Sequence, residues 1–169
     1  MRQTVVLIAA LLALPAAASD LKVTVEIPRL EVAEYHRPYV AVWIEDESNA
    51  VAANLAVWYD LEMKENKGQE WLKDMRQWWR RTGRSLSFPI DGVTSATRAV
   101  GEHSLVFSQG KAPLGDLAKG NYTLVVEAAR EVGGRELLKV PFEWPPTNVT
   151  TLKAKGEHEL GALLVTLTP

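Results

Sequence analysis

Apolar and polar residues alternate along much of this chain, as they do in strands that turn one face towards a core. The first such run covers positions 21–27. Later runs, rich in β-branched and aromatic residues, cover positions 38–46, 54–63, 104–107, 122–127, 136–142 and 160–167. Turn residues separate the runs, and Gly133-Gly134 has the composition of a tight hairpin. The pattern predicts a mainly β fold, a single immunoglobulin-like antiparallel sandwich of about seven strands.

One segment, residues 69–83, has the period of a helix instead. On a helical projection, an arc of about 120° contains Trp71, Leu72, Met75, Trp78 and Trp79. Basic residues follow the opposite side, and a glycine at position 83 is placed like a helix C-terminus. This stripe predicts one amphipathic helix inserted in the sandwich and lying on a sheet face, with Trp71 as a core side chain.

The first residues predict a secretory signal peptide over 1–19. Arg2 begins a short basic region, which is followed by ten apolar residues and an end of small residues. The apolar run is too short to span a bilayer, which needs about 20 residues. Cleavage after Ala18 and cleavage after Ser19 both fit the pattern. We therefore expect export to the periplasm, no direct membrane insertion after signal cleavage, and one mature β-sandwich domain over 20–169.

Composition narrows the chemistry of the mature domain. The chain contains no cysteine, so disulfides and thiolate catalysis are excluded and the core must stabilise the fold. Its 19 basic and 21 acidic residues give no indication of a nucleic-acid partner. His36, His103 and His158 are scattered, without the spacing of metal ligands. We assign no metal site and no catalytic residue.

The segment from Asp91 to Thr97 resembles the acceptor motif of proteins that are flavinylated outside the cytoplasm. In that motif an FAD:protein FMN transferase joins the phosphate of FMN to the last threonine hydroxyl, here Thr97. The positions that match the rest of the motif are Asp91, Gly92, Thr94, Ser95 and Ala96. Attachment needs an accessible hydroxyl in a slender segment, so we expect a candidate flavinylation loop over 86–101. The same composition is also typical of an ordinary surface turn.

Three neighbouring residues are candidates for contacts with a bound flavin. The indoles of Trp78 and Trp79 could stack on the isoalloxazine ring, and the alternative is that both are core side chains. Arg98 directly follows Thr97, where its guanidinium could hold the phosphate, although arginines near a helix are also commonly just solvated.

The order of several motifs resembles the predicted periplasmic family catalogued as domain of unknown function 2271. The motifs are Trp78-Trp79-Arg80, the 91–98 segment, Gly120-Asn121-Tyr122-Thr123-Leu124, Glu127-Ala128-Ala129-Arg130-Glu131, Phe142-Glu143-Trp144-Pro145 and Glu159-Leu160-Gly161-Ala162. They cover nearly all of the mature chain. The resemblance implies a periplasmic location and a single sandwich domain, but no particular activity.

Two hypotheses of different classes follow for the function. In the first, FMN on Thr97 makes the protein an exported electron-transfer carrier or an accessory to a membrane redox system, with a membrane flavoprotein or cytochrome as redox partner. In the second, the sandwich is a cofactor-free periplasmic binding or scaffold module that presents loops to a partner. Under both hypotheses the protein is a carrier or a binding module more than a complete enzyme.

Overall fold

The computed structural model describes residues 18–169, so the predicted signal peptide falls almost entirely outside the described residues. Nine strands are present in this part of the chain: β1 Asp20–Ile27, β2 Tyr39–Asp46, β3 Val51–Tyr59, β4 Thr94–Ala96, β5 Gly101–Ser108, β6 Gly120–Ala129, β7 Arg135–Trp144, β8 Thr150–Lys155 and β9 Ala162–Thr168. Three helical pieces lie between β3 and β4: a 3-10 helix Lys64–Asp74, helix α1 Arg76–Arg81 and a second 3-10 helix Gly83–Ser85.

The strands form two sheets, which confirms the predicted β-sandwich. One sheet has the order β5-β1-β9-β8 and the other the order β4-β3-β2-β6-β7. Neighbouring strands are antiparallel except for β3 and β4, which run parallel. The β6–β7 hairpin also forms as predicted, but its turn has the positive φ of 52° at Val132 and not at either glycine.

The five-stranded sheet is covered on both faces, and strand β2 shows why. Its residues Val40, Val42 and Ile44 belong to the core between the two sheets. Ala41 and Trp43 point to the other face, where they pack in a second core beneath the helical pieces. An uninterrupted apolar run of this kind is typical of a strand buried on both sides. The molecule therefore has three layers: four-stranded sheet, five-stranded sheet and helical layer.

The helical layer differs from the single amphipathic helix predicted over 69–83. The 3-10 helix ends at Asp74, and Met75, with ψ at 74°, separates it from α1. A 3-10 helix turns once in 3 residues and an α-helix once in about 3.6, so the apolar stripe does not continue across the break. Trp78 is completely buried, whereas Trp71 is 45% exposed. The prediction that Trp71 is a core side chain was wrong.

Candidate functional site

The candidate acceptor segment begins with a tight turn. The backbone N–H of Thr94 donates to the carbonyl of Ile90 at 2.9 Å, and the N–H of Ile90 donates to Thr94 Oγ1 at 2.8 Å. Between them Gly92 has a φ of 69°, a conformation that glycine adopts without strain. These bonds leave Asp91 and Gly92 exposed at the tip of the turn.

The second half of the segment is a strand, where the sequence predicted a loop. Thr94, Ser95 and Ala96 form β4, which pairs in parallel with β3. Pairing begins because Val93 is buried in the second core and its carbonyl accepts a hydrogen bond from Val57 N–H at 2.9 Å. β4 is the edge strand of its sheet, so among the described strands it has a partner on one side only. The segment is therefore ordered and still approachable from the sheet edge.

Thr97 directly follows β4, at an end of the five-stranded sheet where several elements meet. Ala96 is in register with Tyr59, which places Thr97 beside Asp60, the residue that follows β3. Because β2 and β6 run antiparallel to each other, the start of β2 and the end of β6 lie at this end too. The half-buried Thr97 side chain therefore stands where four strands and the 3-10 helix enclose a pocket.

This pocket has a volume of about 330 Å³ and includes both Ala96 and Thr97 in its wall. That volume is near the lower end of the 300–1,000 Å³ of typical small-molecule sites. Its aromatic side chains are Tyr35 from the loop before β2, Tyr39 from β2 and Trp71 from the 3-10 helix. Tyr35 is 37% exposed and Trp71 is 45% exposed, so solvent reaches large apolar surfaces here. A threonine hydroxyl beside an aromatic pocket fits the attachment of a flat, phosphate-linked cofactor.

The pocket wall is mainly acidic. Four carboxylates contribute to it: Asp60, Glu62, Asp74 and Glu131. The cations of the wall are Arg37 and Arg130, and the latter is held by a carboxylate outside the pocket. Arg130 Nε and Nη2 donate to the two carboxylate oxygens of Glu159 at 2.8 and 3.2 Å. The balance of charge therefore favours neutral or cationic groups inside the pocket.

Tyr39 forms a neutral part of the wall. Its hydroxyl is buried and has no partner with good hydrogen-bond geometry among the described residues, although the backbone of Asp60 lies close to it. Burial raises the pKa of Tyr39, the backbone of Asp60 partly offsets this rise, and the charges of Asp60 and Glu131 increase it. The phenol therefore stays protonated at neutral pH. Its ring lies 6.2 Å from that of Tyr59, which packs in the second core.

Arg98 does not belong to the pocket wall. Its guanidinium lies 5.3 Å from the ring centroid of Trp58, and its Nη2 donates to Ser95 Oγ at 3.3 Å. Both contacts fix the turn that follows β4. In this arrangement Arg98 supports Thr97 through the backbone and does not point into the pocket.

Trp78 and Trp79 also lie away from the pocket. Trp78 is fully buried in the second core, and its Nε1 donates to Asn54 Oδ1 at 3.0 Å. It presents no ring face to a ligand, which contradicts its assignment as a flavin contact. Trp79 is half-buried, packs against the same core and lies 6.3 Å from Trp78 between ring centroids. The indole that lines the same pocket as Thr97 is that of Trp71.

Three buried or half-buried glutamates hold the helical layer and the loops around the site, and sequence reasoning missed all three. Glu127 of β6 accepts hydrogen bonds from the N–H groups of Gln77 and Trp78 at 3.0 and 2.7 Å, which caps α1. Glu159 holds Arg130, as described above. Glu136 accepts from four consecutive N–H groups, those of residues 157–160, and so fixes the loop that carries Glu159. The only available signal was an acidic residue at a core-facing strand position, as in Glu127.

Comparison with known proteins gives one match. Residues 20–162 match the model of the family described as a predicted periplasmic protein, DUF2271. No curated protein and no solved structure matches the chain. Among the described residues, no helix is long and apolar enough to cross a membrane and no group of three or more acidic or histidine side chains could hold a metal ion. The chain belongs to the DUF2271 family of predicted periplasmic proteins.

Proposed function

We propose that this periplasmic protein is an electron carrier with FMN attached covalently to the hydroxyl of Thr97. The observation that carries the proposal is the position of Thr97, which stands in the wall of an aromatic pocket directly after an accessible edge strand. The exposed turn at Asp91 and Gly92 offers the start of the motif to a transferase.

Attachment uses FAD as the co-substrate of an FAD:protein FMN transferase. Thr97 Oγ attacks the phosphorus of the FMN half, the new P–Oγ bond forms and the bond between the two phosphates of FAD breaks. AMP leaves, and the hydroxyl proton passes to the transferase or solvent. No electron is transferred in this step. Small neighbours at Ser95 and Ala96 leave room for the incoming enzyme on the unpaired side of β4.

The bound flavin would supply the redox chemistry, and the chain's residues would determine where it sits. Thr97 prevents loss of the cofactor from a compartment that does not make it. The aromatic wall would shield one face of the flavin from water, while the open mouth would allow a partner to approach. We expect electrons to arrive from a membrane flavoprotein or cytochrome and to pass to a periplasmic acceptor.

Coexpression with an active transferase and export to the periplasm tests this proposal. The wild-type protein should gain the mass of FMN less one water, become yellow and keep its colour in denaturant, because a phosphoester survives unfolding. Thr97→Ala should remain colourless, while Thr97→Ser, which keeps a hydroxyl, should retain some modification. Asp91→Ala should reduce the yield by weakening recognition, and Thr94→Ala, which removes the hydroxyl that accepts from Ile90 N–H, should still leave an acceptor at Thr97. A colourless wild-type protein beside a transferase that modifies another substrate would contradict the proposal.

A second candidate, a cofactor-free binding module, is favoured by the composition of the pocket. Tyr35, Tyr39 and Trp71 together with four carboxylates form surroundings suited to a small organic cation, since aromatic faces and carboxylates both attract positive charge. Choline would be the probe. A rise in the melting temperature of the unmodified protein with millimolar choline, lost in Trp71→Ala, would support this candidate, and no shift would oppose it.

A further inference from the structure

We infer that the indole of Trp71 stacks on the isoalloxazine ring of the flavin attached to Thr97, so that the pocket receives the ring and the phosphate stays at its rim. This inference rests on the proposed function and adds the residue that orients the cofactor. Trp71 would be a ring-positioning residue.

Trp71 is exposed together with other large apolar side chains of the same pocket wall. Three of the eight large hydrophobic side chains that are exposed in the described structure, Tyr35, Leu61 and Trp71, lie in this one pocket wall. Leaving an indole 45% exposed forgoes much of the free energy that its burial would provide. A ligand ring that covers it would recover that free energy.

The surroundings of Trp71 hold it without burying it. Its neighbour Leu72 is completely buried and fixes the 3-10 helix against the second core. The ammonium of Lys73 stands over one face of the indole, 5.7 Å from the ring centroid. This cation–π contact restrains the ring and covers one face only. A stacking partner can use the other face.

Charge decides which part of FMN enters the pocket. The four carboxylates of the wall outnumber its two arginines, Arg37 and Arg130, and Arg130 is paired with Glu159, so the wall as a whole repels a phosphate. The phosphate is bonded to Thr97 Oγ and therefore stays at the rim, near the solvent. The uncharged isoalloxazine ring carries no such penalty, so the ribityl chain would lead from Thr97 inwards and the ring would meet the aromatic wall.

The other nearby indoles cannot take this role. Trp58 is buried and has Arg98 over its ring, and Trp78, a residue of α1, is buried in the second core. Trp79 packs on the second core and does not line the pocket. Trp71 is therefore the only indole in this pocket wall among the described residues.

Flavin fluorescence on the loaded protein tests the inference separately from attachment. Occupancy is first measured by intact mass for the wild type, Trp71→Ala, Trp71→Phe and the control Trp79→Phe. An indole stacked on isoalloxazine quenches its emission, so the native wild type should be much dimmer than the same protein in urea. Trp71→Ala should be several-fold brighter than the wild type in the native state, Trp71→Phe intermediate, and Trp79→Phe unchanged.

The outcomes separate the two proposals. If the adduct forms and native fluorescence is the same in the wild type and Trp71→Ala, the stacking inference is wrong and the carrier proposal survives. If no adduct forms, the carrier proposal fails and the inference fails with it. Because Trp71 is exposed, Trp71→Ala should fold, and its far-ultraviolet circular dichroism should match that of the wild type.

Discussion

Trp71 and Trp78 lie in the same helical region but in opposite surroundings. The Trp78 end is anchored: its indole is fully buried, its Nε1 bonds to Asn54, and its backbone N–H bonds to Glu127. The Trp71 end faces a pocket, and its indole is 45% exposed. In one continuous α-helix, residues seven apart would lie within about 20° of the same direction. Because of the break at Met75, Trp78 packs in the core while Trp71 remains accessible to a ligand.

The helical layer therefore has a structural half and a half available for function. The structural half is held by polar contacts from the sheet, which fix the start of α1. The other half is held by the buried Leu72 and Gly68, the latter against the backbone of Asp60, and presents Trp71 to the pocket. Substitutions in the two halves should therefore differ in their effect on the free energy of unfolding.

The largest effect is expected at the anchored end. Trp78→Ala should lower the free energy of unfolding by about 3 to 5 kcal/mol, the usual cost of truncating a buried aromatic side chain. Asn54 would also lose the indole N–H that its Oδ1 accepts. Urea denaturation followed by circular dichroism measures the change. A cost below about 1 kcal/mol would show that Trp78 does not anchor the layer.

A smaller loss is expected when the cap of α1 is removed. Glu127 is completely buried, bonds two N–H groups of α1 and receives Arg135 Nη1 at 2.7 Å. Glu127→Ala should destabilise the protein by about 2 to 3 kcal/mol, because it leaves buried donors without partners. The control is Glu102→Ala, an exposed position on β5. Equal melting temperatures for the two variants would contradict the role of Glu127.

Acid should destabilise the loop that carries Glu159, because the carboxylate of Glu136 holds that loop. Burial raises the pKa of Glu136, but hydrogen bonds from the N–H groups of residues 157–160 outweigh this and lower it below its ordinary value. A lowered carboxyl pKa contributes stability that is complete above the unfolded value, about 4.3, and is lost as pH falls through the folded value. Glu136→Gln should therefore destabilise the protein at pH 7 and flatten the loss of stability below about pH 4.3. Identical pH profiles of the melting temperature for wild type and variant would oppose this.

The smallest change in stability is expected at Trp71. Trp71→Ala should lower the free energy of unfolding by no more than about 1.5 kcal/mol, of which about 0.5 kcal/mol is usual for a surface substitution. Loss of the Lys73 contact accounts for the rest, since exposed cation–π pairs are worth about 0.5 to 1 kcal/mol. A cost as large as that of Trp78→Ala in the same urea titration would remove the distinction between the two ends.

The sheets could be predicted from the sequence because period-two alternation and turn residues are local signals. Strand β8 was missed, since its alternation is mostly polar and most of its side chains are exposed. Strand β4 was missed because a short parallel pairing depends on β3, which is distant in the chain. The helix break at Met75 was also not predicted, because the apolar stripe by itself fits one continuous helix.

The candidate site could be predicted only in part. The motif identified Thr97, but proximity in the sequence pointed to Trp78, Trp79 and Arg98 as its neighbours. The structure brings Trp71 and Tyr35 to Thr97 instead, because the end of the five-stranded sheet gathers loops from distant parts of the chain. Contacts of this kind have no local signature.

Peptide mapping of the loaded protein shows whether Thr97 carries the flavin. Trypsin should release residues 85–98 after cutting at Arg84 and Arg98, or residues 85–111 if the modification protects Arg98. Fragmentation of this peptide from the wild-type protein, coexpressed with an active transferase and exported, should place the mass of FMN less one water on Thr97. An unmodified peptide, or an adduct on Thr94 or Ser95, would contradict the account.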